Sequence, residues 1–565
     1  MNTRVKLLSF SVMLGLAANG ANAALDRTGD FALMDSDGKF HQLSRYQHRQ
    51  AVVLMSYAAT CQNMGSMVED YKALQSRYAE QGIEFLLIDS QGRGRAELAA
   101  LDLGLPVLQD SGQLISEALG LAVAGEVRVL NPDRMSLFYS GAVSSELDQT
   151  LAGLLAGPIR DTVKTGTGDG CALSFPVRDA HKEKVPDYAT EVAPIIIENC
   201  VECHRQWGAG PFAMDRHVSL LGWSPMIKEV ILNKRMPPAQ IDPDVGHSTT
   251  ARYLSTADIQ TVVHWINAGG PRGDSPTDPL AELKFEERQP WLIGEPDLII
   301  STPLQKVPVN GILEDIYLDL ELPFTEDTWV RAVQYQPTGN GALHQMVAYV
   351  TAPGEDFWGA ERTSTHTTRR FLESYSPGRA IVAEFAEGSG LFIPKGHKLS
   401  MQFQYVGMGA ELNSITEIGL YLADNADGEL QERLVQTVSA QFVLPADQND
   451  IPMQAEHVFN EDVIITGVRA RMNERGKNVK FSVERPDGTT EDILSIPAYN
   501  YAWQPHYVLE HPVKVPAGSR VVVSGAFDNS VSNPFNPDPM EEIASGVTSE
   551  DEMFTGYLTY HRDTH

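Results

Sequence analysis

The chain has 565 residues, of which 74 are acidic and 44 are Lys or Arg, so its formal charge is −30. That length exceeds one ordinary hydrophobic core, and at roughly 100 to 200 residues per domain it predicts a multidomain protein. A surface this acidic repels nucleic acid and anionic lipid, which excludes both as expected partners. Simple solubility accounts for most of the acidity, and attraction of a basic redox partner is the alternative.

Residues 1–23 have the pattern of an export signal. Arg4 and Lys6 precede an apolar run over Leu7–Ala18, and Ala21-Asn22-Ala23 offers a small-residue cleavage site. We therefore expect a signal peptide at 1–23 and a mature protein in a bacterial periplasm. No other stretch reaches the length of a membrane span, about 18 apolar residues, so we expect none after cleavage. A signal retained as an anchor is the alternative.

Residues 25–165 alternate strand-like and helix-like patterns. Ala51–Tyr57 is a short apolar run typical of a buried strand, and Ile83–Ile88 has the same character. Between them, apolar residues recur with a helical period at Val68, Tyr71, Leu74 and Tyr78. Strand, helix and strand in this order predict a parallel α/β unit, and Asn131-Pro132-Asp133 predicts the turn of a later hairpin.

With a cysteine at the head of the helix, residues 25–165 resemble a thioredoxin-like redoxin domain of the peroxiredoxin and thiol-disulfide oxidoreductase group. The second cysteine of a C-x-x-C motif is absent from Thr60-Cys61-Gln62-Asn63-Met64, and Val123-Ala124-Gly125 stands where that group has a cis-proline. The resemblance makes Cys61 a weak candidate for thiol or peroxidase catalysis, since a helix N-terminus lowers a thiol pKa. The alternatives are a structural domain or a Cys61 to Cys171 disulfide, which suits an oxidising compartment.

The run Cys200-Val201-Glu202-Cys203-His204 carries the most specific signal in the chain. A C-x-x-C-H motif places two thiols about one helical turn apart, so both can add to one haem while the histidine ligates its iron. Zinc would need a second pair of ligands, and a redox dithiol would not need the histidine. We therefore expect one covalent haem c within residues 185–275, between linkers at 166–184 and 276–294.

Residues 185–275 resemble a small α-helical cytochrome c domain. Their helical patterns lie at Glu191–Asn199, Ile227–Leu232 and Ser255–Ala268. The resemblance implies that His204 is the proximal iron ligand and that Met236, followed by Pro237-Pro238, is the distal one. A thioether opposite an imidazole suits electron transfer, because it leaves no open iron position. The competing sixth ligands are Met214, Met226 and His247.

From residue 295 onward, short β-rich runs are separated by turns. The runs lie at Trp329–Tyr335, Met346–Thr351, Leu399–Tyr405, Glu417–Leu422, Val479–Glu484 and Val521–Phe527. Pro486-Asp487-Gly488 and Pro516-Ala517-Gly518 are turn signals. This pattern predicts two all-β sandwiches in tandem, at 295–440 and 441–565.

Several strings in this region resemble the bacterial relatives of copper type II, ascorbate-dependent monooxygenases, whose members include peptidylglycine hydroxylating monooxygenase and dopamine β-hydroxylase. The strings are Tyr375–Gly378, Ile393–Gly396, Asn500–Gln504, Phe527–Ser530, Asn533–Pro539 and Asp551–Met553. The resemblance implies jelly-roll-like sandwiches. Redoxin and cytochrome segments also occur fused to such domains, so the likeness runs along nearly the whole chain.

That family binds copper through histidines and a methionine, and here only His344 and Met553 stand at matching positions. The other ligand positions hold Gln345, Gln404, Arg471 and Asn473. Amides are poor copper ligands, and Arg471 places a permanent cation at the second site. Both features disfavour copper binding, and His344 and Met553 are the weak residual candidates for it. A site rebuilt from other histidines is the alternative, and these are His366, His397, His457, His506 and His511.

The sequence therefore predicts a periplasmic c-type haem redox protein, whose electron transfer is coupled to a monooxygenase-like module that has lost its coppers. Its expected partners are a redox protein and a small-molecule or peptide substrate. The first alternative is an active copper- and haem-dependent monooxygenase that hydroxylates such a substrate. The second is an architectural protein that keeps a haem for stability.

Overall fold

The computed structural model describes residues 26–159, 161–208, 210–285, 291–338, 342–355, 369–375, 382–424, 428–546 and 551–564. The predicted signal peptide at 1–23, His366 and the string Ser376–Gly378 lie outside these ranges. Within the described ranges the chain forms the N-terminal unit (26–164), the helical unit (176–285), the first β unit (298–423) and the second β unit (434–562).

The N-terminal unit combines helices with a mixed β-sheet. Its strands are β1 (Ala32–Met34), β2 (Phe40–Gln42), β3 (Ala51–Tyr57), β4 (Ile83–Asp89), β5 (Val107–Gln109), β6 (Glu126–Asn131), β7 (Ser136–Ala142) and β8 (Val163–Lys164), and its helices are α1 (Met64–Tyr78), α2 (Arg95–Ala99), α3 (Leu114–Ala118) and α4 (Ser145–Ala156). The main sheet has the order β5-β4-β3-β6-β7-β8.

The predicted strand, helix and strand are confirmed as β3, α1 and β4. Every residue of β3 is buried and it runs parallel to β4, with Ala51 opposite Ile83. The helix α1 buries Met64, Val68 and Tyr71 at the helical spacing, and these side chains join the core on one face of the sheet. The predicted hairpin is also present, since β6 and β7 pair antiparallel.

The helical unit packs around Trp265, whose side chain is fully buried. Its helices are α5 (Pro176–Glu183), α6 (Ala193–Asn199), α7 (His217–Leu232) and α8 (Thr256–Asn267), with a π-helical turn at Tyr188–Val192 before α6. The helix α5 lies in the segment expected to be a linker. It begins with Pro176, which suits a first helical turn, and it packs against α8. Among the described residues, no helix has the length and apolarity needed to cross a membrane.

The first β unit encloses one apolar core between two sheets. Its strands are β9 (Leu298–Ser301), β10 (Gln305–Val307), β11 (Ile312–Glu321), β12 (Thr328–Pro337), β13 (Leu343–Thr351), β14 (Arg370–Tyr375), β15 (Val382–Glu384), β16 (Ser389–Ile393), β17 (Lys398–Val406), β18 (Leu412–Ser414) and β19 (Thr416–Ala423), and β20 (Gln431–Glu432) joins from the connection to the next unit. One sheet has the order β11-β17-β13-β14 and the other β20-β16-β12-β19-β9.

The second β unit repeats this arrangement around its own core. Its strands are β21 (Leu434–Ala440), β22 (Val443–Leu444), β23 (Ile451–Val458), β24 (Val463–Arg471), β25 (Gly476–Glu484), β26 (Thr490–Ile496), β27 (Tyr507–Val515), β28 (Arg520–Phe527), β29 (Ile543–Ala544) and β30 (Phe554–Arg562). The two sheets have the orders β21-β30-β24-β27 and β23-β28-β25-β26.

The helical unit contacts the N-terminal unit on one side and the second β unit on another. Arg95 Nη1 and Nη2 donate to Asp242 Oδ2 and Oδ1 at 2.6 and 2.9 Å. Thr249 N donates to Val508 O at 3.0 Å, and Ile241 packs into the core of the second β unit. The segment 239–250 is therefore held by both neighbours.

Candidate redox site

Cys61 lies just before α1, at the carboxyl end of β3, and is bonded to Cys171 in a disulfide. Its side chain is buried with only 4% exposed. A thiol at this position would be the nucleophile of a redoxin domain, but here its sulfur is already used. Of the alternatives for Cys61, the structure thus has the disulfide with Cys171, across 110 residues of sequence.

The segment around Cys171 lies along the loop that precedes β6. Ala124 N donates to Cys171 O at 2.8 Å, and Leu173 N donates to Ala122 O at 2.8 Å. Gly170 fits this contact because a Cβ on it would lie 1.7 Å from Ala124 O. The loop that lacks the expected proline is therefore covered by a short antiparallel contact and a disulfide.

Cys200 and Cys203 are both free thiols in the turn that follows α6. Burial raises the pKa of Cys200 to about 12 and that of Cys203 to about 11, so both are protonated at neutral pH. Zinc binding needs thiolates and further ligands. In the described part of the chain, no group of three or more His, Cys, Asp or Glu side chains is arranged to hold a metal ion.

His204 is held in one orientation by the residues that follow it. Its Nδ1 lies 3.1 Å from Phe212 O. Because a carbonyl oxygen only accepts, Nδ1 carries the proton and Nε2 keeps its lone pair. Burial lowers the His204 pKa, which favours this neutral form. The Phe212 ring lies 4.6 Å from the imidazole and stacks on Trp223 at 4.3 Å.

Met236 lies in the turn after α7, half-buried, and its backbone N donates to Val230 O at 3.0 Å. Gln240 Nε2 braces the turn by donating to Lys234 O and Pro237 O. This turn leads into the segment 239–250, so the neighbouring units restrain it from both sides.

The competing sixth ligands lie in different surroundings. Met214 is 4% exposed and packs in the core of the helical unit, so packing alone accounts for it. Met226 is 46% exposed on α7. His247 lies exposed in the segment 239–250, where its carbonyl accepts from Glu510 N at 3.1 Å.

The positions that match copper ligands are filled by contacts among protein groups. His344 Nδ1 lies 3.3 Å from Gln404 Oε1, and its ring lies 4.8 Å from the ring of Trp503. Arg471 Nη1 donates to Gln402 Oε1 at 3.4 Å. The guanidinium of the second β unit thus reaches an amide of the first.

Met553 follows Glu552, an acidic residue that is fully buried. Glu552 accepts hydrogen bonds from Asn473 N at 2.9 Å and Arg475 N at 2.8 Å. Burial raises the Glu552 pKa to about 7. Asn473 Nδ2 also donates to Asp551 O at 2.7 Å, so this position serves to hold the turn between β24 and β25.

Sequence reasoning missed a buried polar cluster between the two β units. It consists of Glu373, Arg433, His506 and Thr559. In the sequence, His506 is one of several scattered histidines. Its partner Glu373 is 133 residues away, and no local pattern announces such a contact.

Comparison with known families identifies the N-terminal part of the chain. The AhpC/TSA family matches residues 25–135. No curated protein matches the chain. Together with the order of the main sheet, the family match establishes a thioredoxin-like redoxin domain in the N-terminal unit, within a multidomain protein whose remaining part is rich in β-sheet.

Solved structures match a similar fraction of the chain. A hypothetical protein from Sinorhizobium meliloti 1021 has 23% identity and a TM-score of 0.23, and the match covers 26% of this chain and 93% of that one. The peroxidoxin BcpB from Mycobacterium tuberculosis has 22% identity and a TM-score of 0.21, covering 24% and 98%. The thioredoxin domain of a thiol-disulfide oxidoreductase from Bacteroides vulgatus has 10% identity and a TM-score of 0.21, covering 24% and 98%.

Proposed function

We propose that the protein is an exported electron carrier with one covalent haem c, held by Cys200, Cys203, His204 and Met236. The observation that carries this proposal is the hydrogen bond between His204 Nδ1 and Phe212 O, because it leaves Nε2 available for iron beside two free thiols. The apolar surroundings of the motif, with Trp223 stacked on Phe212, suit a porphyrin. When bound, the haem supplies a reversible one-electron couple.

The thioredoxin-like domain has a redox fold, but its Cys61 is bonded to Cys171 in a disulfide. We propose that Cys61 acts as a structural clamp through Cys171, and that thiol catalysis is not its main role. The burial of Cys61 and the backbone hydrogen bonds between the Cys171 segment and the loop before β6 support this proposal. The periplasm, where disulfides persist, is the proposed location.

The β units are proposed to be a monooxygenase-like module without copper. The contact between Arg471 and Gln402 supports this, since a cation hydrogen-bonded to an amide disfavours a metal at that position. In this proposal the module supplies the docking surface for a redox partner protein and the binding site for a small-molecule or peptide substrate.

Metal content tests the proposal directly. Protein matured in a periplasm able to attach haem c is exposed to copper, washed and analysed for both metals. We expect about one iron per chain, no retained copper, and haem that stays attached under denaturing conditions. The double variant Cys200→Ser, Cys203→Ser should abolish covalent attachment, because no thiol is left to bond the haem, while Cys171→Ser is the matched control that keeps it. Tightly held copper beside iron would instead support the active monooxygenase.

A further inference from the structure

A cavity of about 350 Å³ lies where the two β units and the helical unit meet. The first β unit contributes Tyr335 and Phe385 to its wall, the second contributes Val508 and Thr559, and Thr250 comes from the helical unit. Ligand pockets typically measure about 300 to 1,000 Å³ and often lie between domains, so the size suits a single-ring molecule. None of the copper-matching residues His344, Arg471 and Met553 lines it.

A buried chain of hydrogen bonds forms one side of this cavity. Thr559 Oγ1 lies 3.0 Å from His506 Nε2, and His506 Nδ1 lies 3.2 Å from Glu373 Oε1. Arg433 Nη2 approaches Glu373 Oε2 at 3.4 Å. The exposed fractions of Thr559, His506, Glu373 and Arg433 are 2%, 3%, 3% and 6%. These hydrogen bonds join the two β units, and the side chains that form them line the cavity and are shielded from bulk water.

The charges of these four hydrogen-bonded side chains balance. The Glu373 carboxylate faces the Arg433 guanidinium, so a neutral His506 gives a net charge of zero. The cavity lining also includes Glu384, whose side chain is exposed. A ligand charge buried against Glu373, Arg433 and His506 would meet a pair that is already balanced, and its desolvation would oppose binding. An uncharged ligand avoids that cost.

The donor and acceptor roles along these hydrogen bonds also determine which polar group a ligand must carry. A carboxylate only accepts, so His506 donates through Nδ1 to Glu373, and in this neutral tautomer its Nε2 accepts from the Thr559 hydroxyl. The Thr559 oxygen then presents lone pairs, and a ligand group beside it must donate. Tyr335, Phe385 and Val508 offer apolar surface for the rest of the molecule.

We propose that this cavity is a binding site for a small, uncharged aromatic or alicyclic molecule with a hydroxyl group that donates to Thr559. The site gives a chemical class to the small-molecule partner of the proposed function. It does not depend on the haem, because neither the motif Cys200–His204 nor Met236 lines the cavity.

Titration of the full-length protein with benzyl alcohol tests this site, with saturation-transfer NMR as the readout. Benzoate and benzylamine, which have a similar ring and opposite charges, are the ligand controls. We expect saturable millimolar binding of benzyl alcohol, and binding at least about tenfold weaker for both charged molecules. Absence of saturable binding, or equal binding of a charged molecule, overturns the proposal.

Two variants locate the binding. Val508→Phe fills the cavity and should abolish binding, whereas the matched Val458→Phe, on an exposed position outside it, should not. Thr559→Val keeps the side-chain volume and should weaken binding at least about fivefold through loss of the hydrogen bond. Circular dichroism verifies folding. Unchanged binding in both Val508→Phe and Thr559→Val overturns the site, while haem attachment, measured on the same samples, reports separately on the proposed electron carrier.

Discussion

At the scale of single residues, Met236 is the side chain whose role is most open to direct measurement. Its turn is fixed by the hydrogen bond to Val230 O and braced by Gln240, so the thioether is presented from a restrained backbone. If Met236 is the distal ligand, Met236→Ala should open an iron position, remove the methionine signature from the haem spectrum and permit binding of added imidazole.

The control for Met236 is substitution of the competing methionines. Met214→Leu and Met226→Leu should leave the haem spectrum unchanged, since the first side chain packs in a core and the second is exposed. A spectrum that is insensitive to Met236→Ala but altered by one of these variants would reassign the ligand.

Glu552 predicts a pH dependence of stability in the second β unit. Its folded pKa is raised from 4.5 to about 7 by burial. The folded protein therefore binds this proton below about pH 7, whereas the unfolded chain binds it only near pH 4.5. The free-energy cost of burying the ionised Glu552 carboxylate is fully present above pH 7 and is lost as the pH falls. This group should raise the free energy of unfolding by about 1 to 3 kcal/mol across that window on acidification.

Thermal unfolding at about pH 5 and about pH 7.5 measures the Glu552 contribution. Glu552→Gln cannot titrate, so the gain on acidification should shrink in this variant, although lost hydrogen bonds lower its stability at both pH values. Glu542→Gln, at an exposed position, should retain the wild-type dependence. The same pH dependence in Glu552→Gln would contradict the assignment.

At the scale of elements, the contact of segment 170–174 with the loop before β6 depends mainly on the disulfide. The two backbone hydrogen bonds there contribute about 1 to 3 kcal/mol together. A disulfide that closes a loop of 110 residues contributes more, about 4 to 5 kcal/mol in the chain-entropy estimate. In Cys171→Ser we therefore expect the segment to detach and Cys61 to become reactive.

Maleimide labelling of native protein measures this reactivity. Cys171→Ser should gain one labelled thiol at Cys61, together with faster proteolysis within 166–174. The double variant Cys61→Ser, Cys171→Ser should show the same proteolysis and lack that label. A Cys61 that stays unreactive in Cys171→Ser would mean that the backbone contacts hold the segment without the disulfide.

The elements also show what sequence patterns can predict. The strand β3, the helix α1 and the hairpin β6–β7 follow from periodicity and turn residues, which act over a few positions. Their presence was predictable for that reason. The helix α5 was missed because it is short and mostly polar and none of its residues is buried, although it contacts α8.

At the scale of the whole molecule, the contacts that join units were not predictable, since they bring together residues far apart in the chain. The pair Glu373 and His506 and the pair Arg95 and Asp242 are examples. Each member alone is an ordinary charged or polar residue in sequence. Only the motif Cys200–His204 carried its candidate function in its spacing.

The pair Arg95 and Asp242 predicts how the helical unit is held. Asp242 is 1% exposed and its carboxylate accepts two hydrogen bonds from one guanidinium. Removing Arg95 leaves that charge buried, and breaking a buried pair costs about 3 to 5 kcal/mol, more than a surface ion pair provides. In Arg95→Ala we therefore expect the segment 239–250 to separate from the N-terminal unit and exchange its amide hydrogens faster, as measured by mass spectrometry.

The matched control is Arg93→Ala, whose partner Asp89 belongs to the same unit, and it should leave exchange in 239–250 unchanged. Equal exchange in both variants would show that the hydrogen bonds to the second β unit, such as that from Thr249 N to Val508 O, suffice to hold the segment that follows Met236.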